Sequence, residues 1–129
     1  MSESAQGLIL FAHGARDPRW AEPFEQVAMK LRALQPGLAV RLAFLEFMAP
    51  SLPEAGAELA AAGCTHLAVL PMFLGAGGHV RKDLPALVQA LRDRHPGLNV
   101  QLLGAIGEQP AVLQTMAEVA LQMAGRGQP

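Results

Sequence analysis

Two histidines and one glutamate are the residues of this chain best placed to do chemistry. His13 ends the apolar run Leu8–Ala12 and is followed by Gly14, Ala15, Arg16, Asp17 and Pro18. His79 follows the glycine-rich stretch Gly75-Ala76-Gly77-Gly78. Glu46 sits between Leu45 and Phe47. Neutral imidazole is the commonest metal ligand and suits divalent cobalt, nickel, iron and zinc. Two imidazoles leave coordination positions open, whereas a structural zinc site is closed by four ligands. The single cysteine, Cys64, is not placed to complete such a set. The pair is therefore expected to hold a metal briefly. Glu46 is expected to be a third metal contact or a proton acceptor, its pKa raised by partial desolvation between two apolar neighbours. Each of the three also has an ordinary structural reading, as a strand-exit histidine bonded to a carbonyl or a strand-end charge in water.

An internal repeat favours the chemical reading. Gln35–Leu42 (QPGLAVRL) matches His95–Leu102 (HPGLNVQL) at an offset of 60, each at a helix stop followed by a strand. A second echo, at an offset of 66, matches His13 and Asp17 with His79 and Asp83. The chain thus reads as two βαβα halves, each presenting a histidine after its first strand. Arg16, Arg19, Arg81 and Lys82 are the basic residues of the two matched loops. They could bind ligand carboxylates or phosphates, or be solvated and paired with Asp17 and Asp83. Gly75, Gly77 and Gly78 could take positive φ and let a ligand approach the backbone. Neither G-x-x-x-x-G-K-[ST] nor G-x-G-x-x-G occurs there, so a phosphate loop is a weak reading. His66, at the start of a strand, and His95, at a helix stop, read as structural.

The elements that must position these residues follow from periodicity. Leu8–Ala12 is apolar without alternation, as in a strand covered on both faces. Phe24, Val27, Ala28, Leu31 and Leu34 keep helical spacing until Pro36-Gly37. Leu38–Phe47 is expected to be the second strand. Pro50–Ala62 is expected to be a helix with Ser51 as N-cap and Gly63 at its end. His66–Leu70 reads as a strand, Pro71–Gly78 as a loop and Val80–Arg94 as a helix. Leu98–Leu103 and Gln109–Ala124 complete the order β-α-β-α-β-α-β-α. Strands joined by helices are parallel with right-handed crossovers. The expected fold is α/β, a three-layer αβα sandwich around a four-stranded parallel sheet. Both histidines would then lie at the carboxyl edge, where such sheets bind ligands.

Composition bounds the rest. The 129 residues suit a single domain, 1–129, with 1–6 and 125–129 expected to fray. The chain is 51% hydrophobic and 16% charged, enough for a sizeable core. A net charge of −1 gives no field to recruit nucleic acid or an anionic membrane. The absence of tyrosine and the few aromatics argue against stacking on single-stranded nucleic acid. No apolar run reaches the length needed to span a bilayer, and the N-terminus lacks the features of a signal peptide. One cysteine fits a reducing compartment, so a cytoplasmic protein is expected.

The stretches Leu8–Arg19 (LILFAHGARDPR), Ala43–Ala55 (AFLEFMAPSLPEA) and Pro71–Pro85 (PMFLGAGGHVRKDLP) resemble the small sirohydrochlorin chelatases, short class II cobaltochelatases of tetrapyrrole synthesis. The resemblance runs from about Leu8 to Leu113. It implies a chelatase-like fold, half of a flavodoxin-like pair, and insertion of a divalent metal into sirohydrochlorin without ATP. It implies His13 and His79 as the metal-binding pair and Glu46 as a further active-site residue. The metal, Co2+ or alternatively Fe2+ or Ni2+, would be a substrate, with no tightly bound cofactor. Arg16, Arg81 and Lys82 would meet the carboxylates of the tetrapyrrole, and Gly75, Gly77 and Gly78 would admit its flat ring. Larger relatives carry two such domains, so a single-domain chain implies a homodimer. A histidine phosphatase is disfavoured because Ala12 stands where an arginine would precede the histidine. A non-enzymatic metal- or tetrapyrrole-binding domain shares the same histidines.

Overall fold

The computed structural model describes residues 6–75 and 77–126, the side chains of residues 78, 79, 81 and 126 excepted. Four strands, β1 (Gln6–Ala12), β2 (Ala39–Phe44), β3 (His66–Pro71) and β4 (Asn99–Leu102), form one parallel sheet. Their order is β2-β1-β3-β4. The chain moves outward from β1 in one direction and from β3 in the other, so the switch point lies between these two central strands. β1 is flanked on both sides, and Ile9, Leu10, Phe11 and Ala12 are buried without alternation, as its composition predicts.

Four helices follow the strands: α1 (Glu22–Leu34), α2 (Leu52–Ala61), α3 (Gly78–Arg94) and α4 (Pro110–Arg126). On one face of the sheet, Ile9, Phe11, Ala43, Leu67, Val69 and Val100 pack with Leu52, Ala55 and Leu59 of α2 and Leu84, Val88 and Leu91 of α3. On the other, Leu10 and Val40 pack with Ala28 and Leu31 of α1. The three-layer arrangement is thus present, made by α1 alone on one side. Among the described elements, α4 makes extended contact only with Ile106–Glu108, the short 3-10 turn before it. Val112, Leu113, Met116, Val119, Leu121 and Met123 of α4 are exposed or half-exposed.

Four of the differing boundaries bear on the site or the termini. β2 stops at Phe44, because residues 45–50 turn back and the Phe44 N–H donates to the Pro50 carbonyl (2.9 Å). α3 starts at Gly78, so His79 lies in its first turn and not in the glycine loop. Gln6 opens β1 and α4 continues to Arg126, so both elements reach into segments expected to fray. The second echo is also not equivalent in structure: Asp17 caps a 3-10 turn at Pro18–Ala21, while Asp83 lies inside α3.

The first echo is borne out in detail. Gln35 and His95 close α1 and α3, and their carbonyls accept from Leu38 and Leu98 N–H at 3.0 and 2.8 Å. Arg32 donates to the Val40 carbonyl (2.8 Å) and Arg92 to the Val100 carbonyl (3.0 Å). Each pair is offset by 60 residues, so β1-α1-β2 and β3-α3-β4 are two versions of one unit. At this offset the position equivalent to His13 is Phe73, and His79 lies six residues further along, in the first turn of α3. Cys64 is buried against the α2 side of the core, and burial pushes its thiol pKa up.

α2 begins as its sequence requires. The Ser51 hydroxyl accepts from Glu54 N–H (3.3 Å) and Glu54 Oε1 accepts from Ser51 N–H (2.8 Å), a reciprocal capping box. Ser51→Ala is therefore expected to lower the unfolding free energy by about 1 kcal/mol. The check is the urea midpoint at unchanged slope, with Ser51→Asp retaining most of the stability.

Candidate functional site at the carboxyl edge

Hydrogen bonding carries β1 past its last strand residue. Phe11 carbonyl accepts from Met72 N–H at 2.7 Å. Ala12 carbonyl accepts from Leu45 N–H at 2.9 Å, and His13 carbonyl from Glu46 N–H at 3.0 Å. The residues that follow all three strands β1, β2 and β3 are thereby tied together at the switch point. His13 and Glu46, expected partners from sequence, are joined through their backbones, and both are exposed. The partial burial expected for Glu46 is absent, because β2 has ended two residues earlier and the carboxylate stands in water.

The imidazole of His13 lies on Phe73, with ring centroids 4.5 Å apart and planes 33° from parallel. Phe73 is itself buried and meets Phe11 edge-on at 6.1 Å. One face of the imidazole is thus seated on core and the residue as a whole is open to solvent. This arrangement fixes the ring plane while leaving a nitrogen free to meet a ligand. Gly14 makes the close approach possible. Its φ is +91°, and a Cβ there would collide with the Glu46 carbonyl oxygen. Gly14 was given no role from sequence, although a glycine directly after a strand-ending histidine was the available signal.

The basic residues divide. Arg16 holds its guanidinium carbon 4.5 Å from the ring centroid of Phe47. Arg19 is taken up by Asp17, which accepts from its side chain at 2.8 Å and from its backbone N–H at 3.0 Å. These bonds hold the Asp17 carboxyl below its ordinary pKa. Lys82 is exposed on α3. Gly75 and Gly77 are exposed with open space where a side chain would project. Gly77 has φ −67°, so the left-handed freedom expected of these glycines is used instead by Gly14 and Gly63. The expected roles of Gly78, His79 and Arg81 rest on side-chain surroundings outside the described residues. Among the described residues, no three His, Cys, Asp or Glu side chains converge as a metal cluster. His66 opens β3 at the opposite edge of the sheet.

An open cleft of about 470 Å³ lies at the same edge, between the ends of β3 and β4 and the start of α3. Its side-chain lining is apolar apart from Glu108, and Phe73 forms part of its wall. Phe73 is thus shared between the cleft and the His13 ring.

The sequence and fold have known counterparts. The chain is 34% identical over 82 residues to a sirohydrochlorin cobaltochelatase of Methanosarcina acetivorans, a match covering 64% of this chain. It spans 63% of the length of that relative. Its fold superposes on the crystal structure of the CbiX protein of Marinobacter aquaeolei VT8 with a TM-score of 0.84 and 32% identity, covering 95% of this chain and 99% of the other. SirB from Bacillus subtilis, solved with Fe3+, shares the fold at a TM-score of 0.77 and 22% identity, over 96% of this chain and 48% of SirB. The family model for CbiX matches residues 7–122, and the chain belongs to the CbiX family.

Proposed function

We propose that this protein is a sirohydrochlorin chelatase, inserting Co2+ into the tetrapyrrole without ATP. The observation that carries the reading is the placement of His13: exposed, ring-stacked on Phe73, and backbone-bonded to Glu46 at the switch point of the sheet. The name borne by the M. acetivorans relative favours cobalt, and the iron in SirB keeps Fe2+ as the alternative, with Ni2+ suited to the same donors. His13, His79 and Glu46 are the proposed metal contacts. Arg16, Arg81 and Lys82, with Gly75, Gly77 and Gly78, are the proposed lining for the substrate.

Insertion breaks two pyrrole N–H bonds and forms metal–nitrogen bonds, with two protons released for each dication taken up. No electron is transferred and no high-energy bond is consumed. The protein must therefore shed water from the metal, present it with open positions and accept protons. An imidazole held on one face by Phe73 can bind the ion without enclosing it. A solvated carboxylate one backbone hydrogen bond away can take a proton and pass it to water.

Two surfaces support a homodimer. On α4, Val112, Met116, Val119 and Met123 recur at helical spacing on one side, while Gln114 and Glu118 pair at 3.0 Å on another. The sheet face carrying Ala68, Leu70 and Met72 is covered by α1 only toward β1 and β2. A second copy would bury both. The match to 48% of the SirB chain is consistent with two copies equalling one longer chain. A cytoplasmic location fits the single, buried, unpaired Cys64 and the absence of any described helix long and apolar enough to cross a membrane.

Purified protein incubated anaerobically with sirohydrochlorin and each metal is expected to accelerate the absorbance change of insertion above the enzyme-free rate, most for Co2+. No acceleration with any metal would remove the reading. His13→Ala is expected to reduce the rate by more than about 100-fold, beyond the usual cost of disturbing a ligand's supporting shell. Gly14→Ala is expected to lose at least about 1–2 kcal/mol of stability from the left-handed backbone alone, and to slow insertion as Glu46 is displaced. Sedimentation equilibrium is expected to give twice the 13.6 kDa chain mass, falling to one chain mass in Met116→Asp/Met123→Asp.

A further inference from the structure

We propose that Phe47 is a substrate-positioning residue, an aromatic platform against which the face of the tetrapyrrole lies while Arg16 pairs with a carboxylate at the ring's edge. The inference rests on the chelatase reading and adds a residue to it. Three observations converge on Phe47. The residue is 57% exposed, although a phenylalanine side chain gains about 1.5–3 kcal/mol from burial. Its φ is +67°, a region that bulky residues other than glycine rarely occupy. Its ring carries the Arg16 guanidinium at 4.5 Å.

The backbone conformation is imposed by the surrounding turn. Glu46 N–H is bonded to the His13 carbonyl on one side of Phe47, and the Pro50 carbonyl to Phe44 N–H on the other. Glycine would satisfy such a turn at no steric cost. A phenylalanine there, strained and in water, gains nothing from this chain's own core. Strain of this kind concentrates at ligand-binding positions. The ring's place along the chain is informative too. Phe47 is the residue after Glu46, and Leu74, 69% exposed, is the residue after Phe73. Each is the next residue along the chain from one that touches His13.

A flat conjugated macrocycle with acidic substituents matches this pairing. Its π surface suits stacking on an aromatic ring, and its carboxylates suit a guanidinium. Stacking on Phe47 also restricts Arg16, so less freedom is lost when it pairs with the substrate. The platform would set the height of the macrocycle over His13 without taking part in proton or metal transfer.

The test uses Phe47→Gly, which removes the ring and relieves the backbone, and Phe47→Trp, which keeps an aromatic face. Metal-free sirohydrochlorin is titrated into each protein by absorbance, and insertion kinetics and Co2+ binding are measured in parallel. Phe47→Gly is expected to raise the tetrapyrrole Kd and the KM about tenfold, equivalent to about 1.4 kcal/mol, with kcat within about twofold and Co2+ affinity unchanged. Phe47→Trp is expected to restore binding. Wild-type Kd and KM in Phe47→Gly, with insertion intact, would overturn the platform and leave the chelatase reading standing. A fall in oligomeric state in Phe47→Gly would make the ring an interface residue and overturn the proposal in that way. A wild-type protein that neither binds nor metallates sirohydrochlorin would overturn both.

Discussion

Everything at the carboxyl edge hangs on three successive carbonyls of one strand. Phe11, Ala12 and His13 accept from Met72, Leu45 and Glu46, the first from the loop after β3 and the other two from the turn after β2. β1 lies between β2 and β3, so it can draw on the segments that follow both. The pairing continues beyond the regular strand only because Gly14 lacks a side chain where the Glu46 carbonyl passes. The site is thus an extension of sheet hydrogen bonding into what would otherwise be loop. Its donors inherit the order of the core, although His13, Glu46 and Arg16 are all exposed.

That inheritance also explains how a solvent-facing imidazole can be oriented with no hydrogen-bonded partner among the described residues. Phe73 lies between His13 and Phe11, in contact with both rings. The ring stack runs from the buried sheet surface out to the carboxyl edge, and dispersion with ring electrostatics replaces the carbonyl or carboxylate that often fixes a histidine. A neutral support of this kind does not itself occupy either imidazole nitrogen, which would suit an ion that must be received and then released.

Much of this was legible in the sequence, and the exceptions have physical causes. The alternation of buried strands and amphipathic helices showed in the unbroken apolar run at Leu8–Ala12 and in the Phe24–Leu34 periodicity. Ser51 and Glu54 marked their capping box by type and spacing. The 60-residue echo showed the duplicated unit, since the Arg32 and Arg92 bonds depend on side chains that repeat with it. The start of α3 was hidden, because Gly77 caps it without a side chain and Gly78 is a poor helix former. The early end of β2 was hidden as well. A β-favouring run, Phe44 to Phe47, is overridden by tertiary hydrogen bonds that force Phe47 to positive φ. Amphipathicity foretold α4 correctly but says nothing of which surface its apolar stripe meets.

The way α4 leaves the domain joins it to the support of the His13 ring. Gly107, in the turn before it, donates its N–H to the Phe73 carbonyl at 2.9 Å, and a Cβ at Gly107 would strike the Leu74 backbone. α4 begins three residues later. The helix is therefore a lever whose fulcrum bears on the residue supporting the His13 ring. Whatever surface α4 settles on bears, through Phe73, on how steadily the imidazole is held. By thermodynamic reciprocity, an ion bound at His13 would in turn strengthen the seating of α4. Quaternary packing and ion capture would then be two ends of one mechanical connection, only a few residues long.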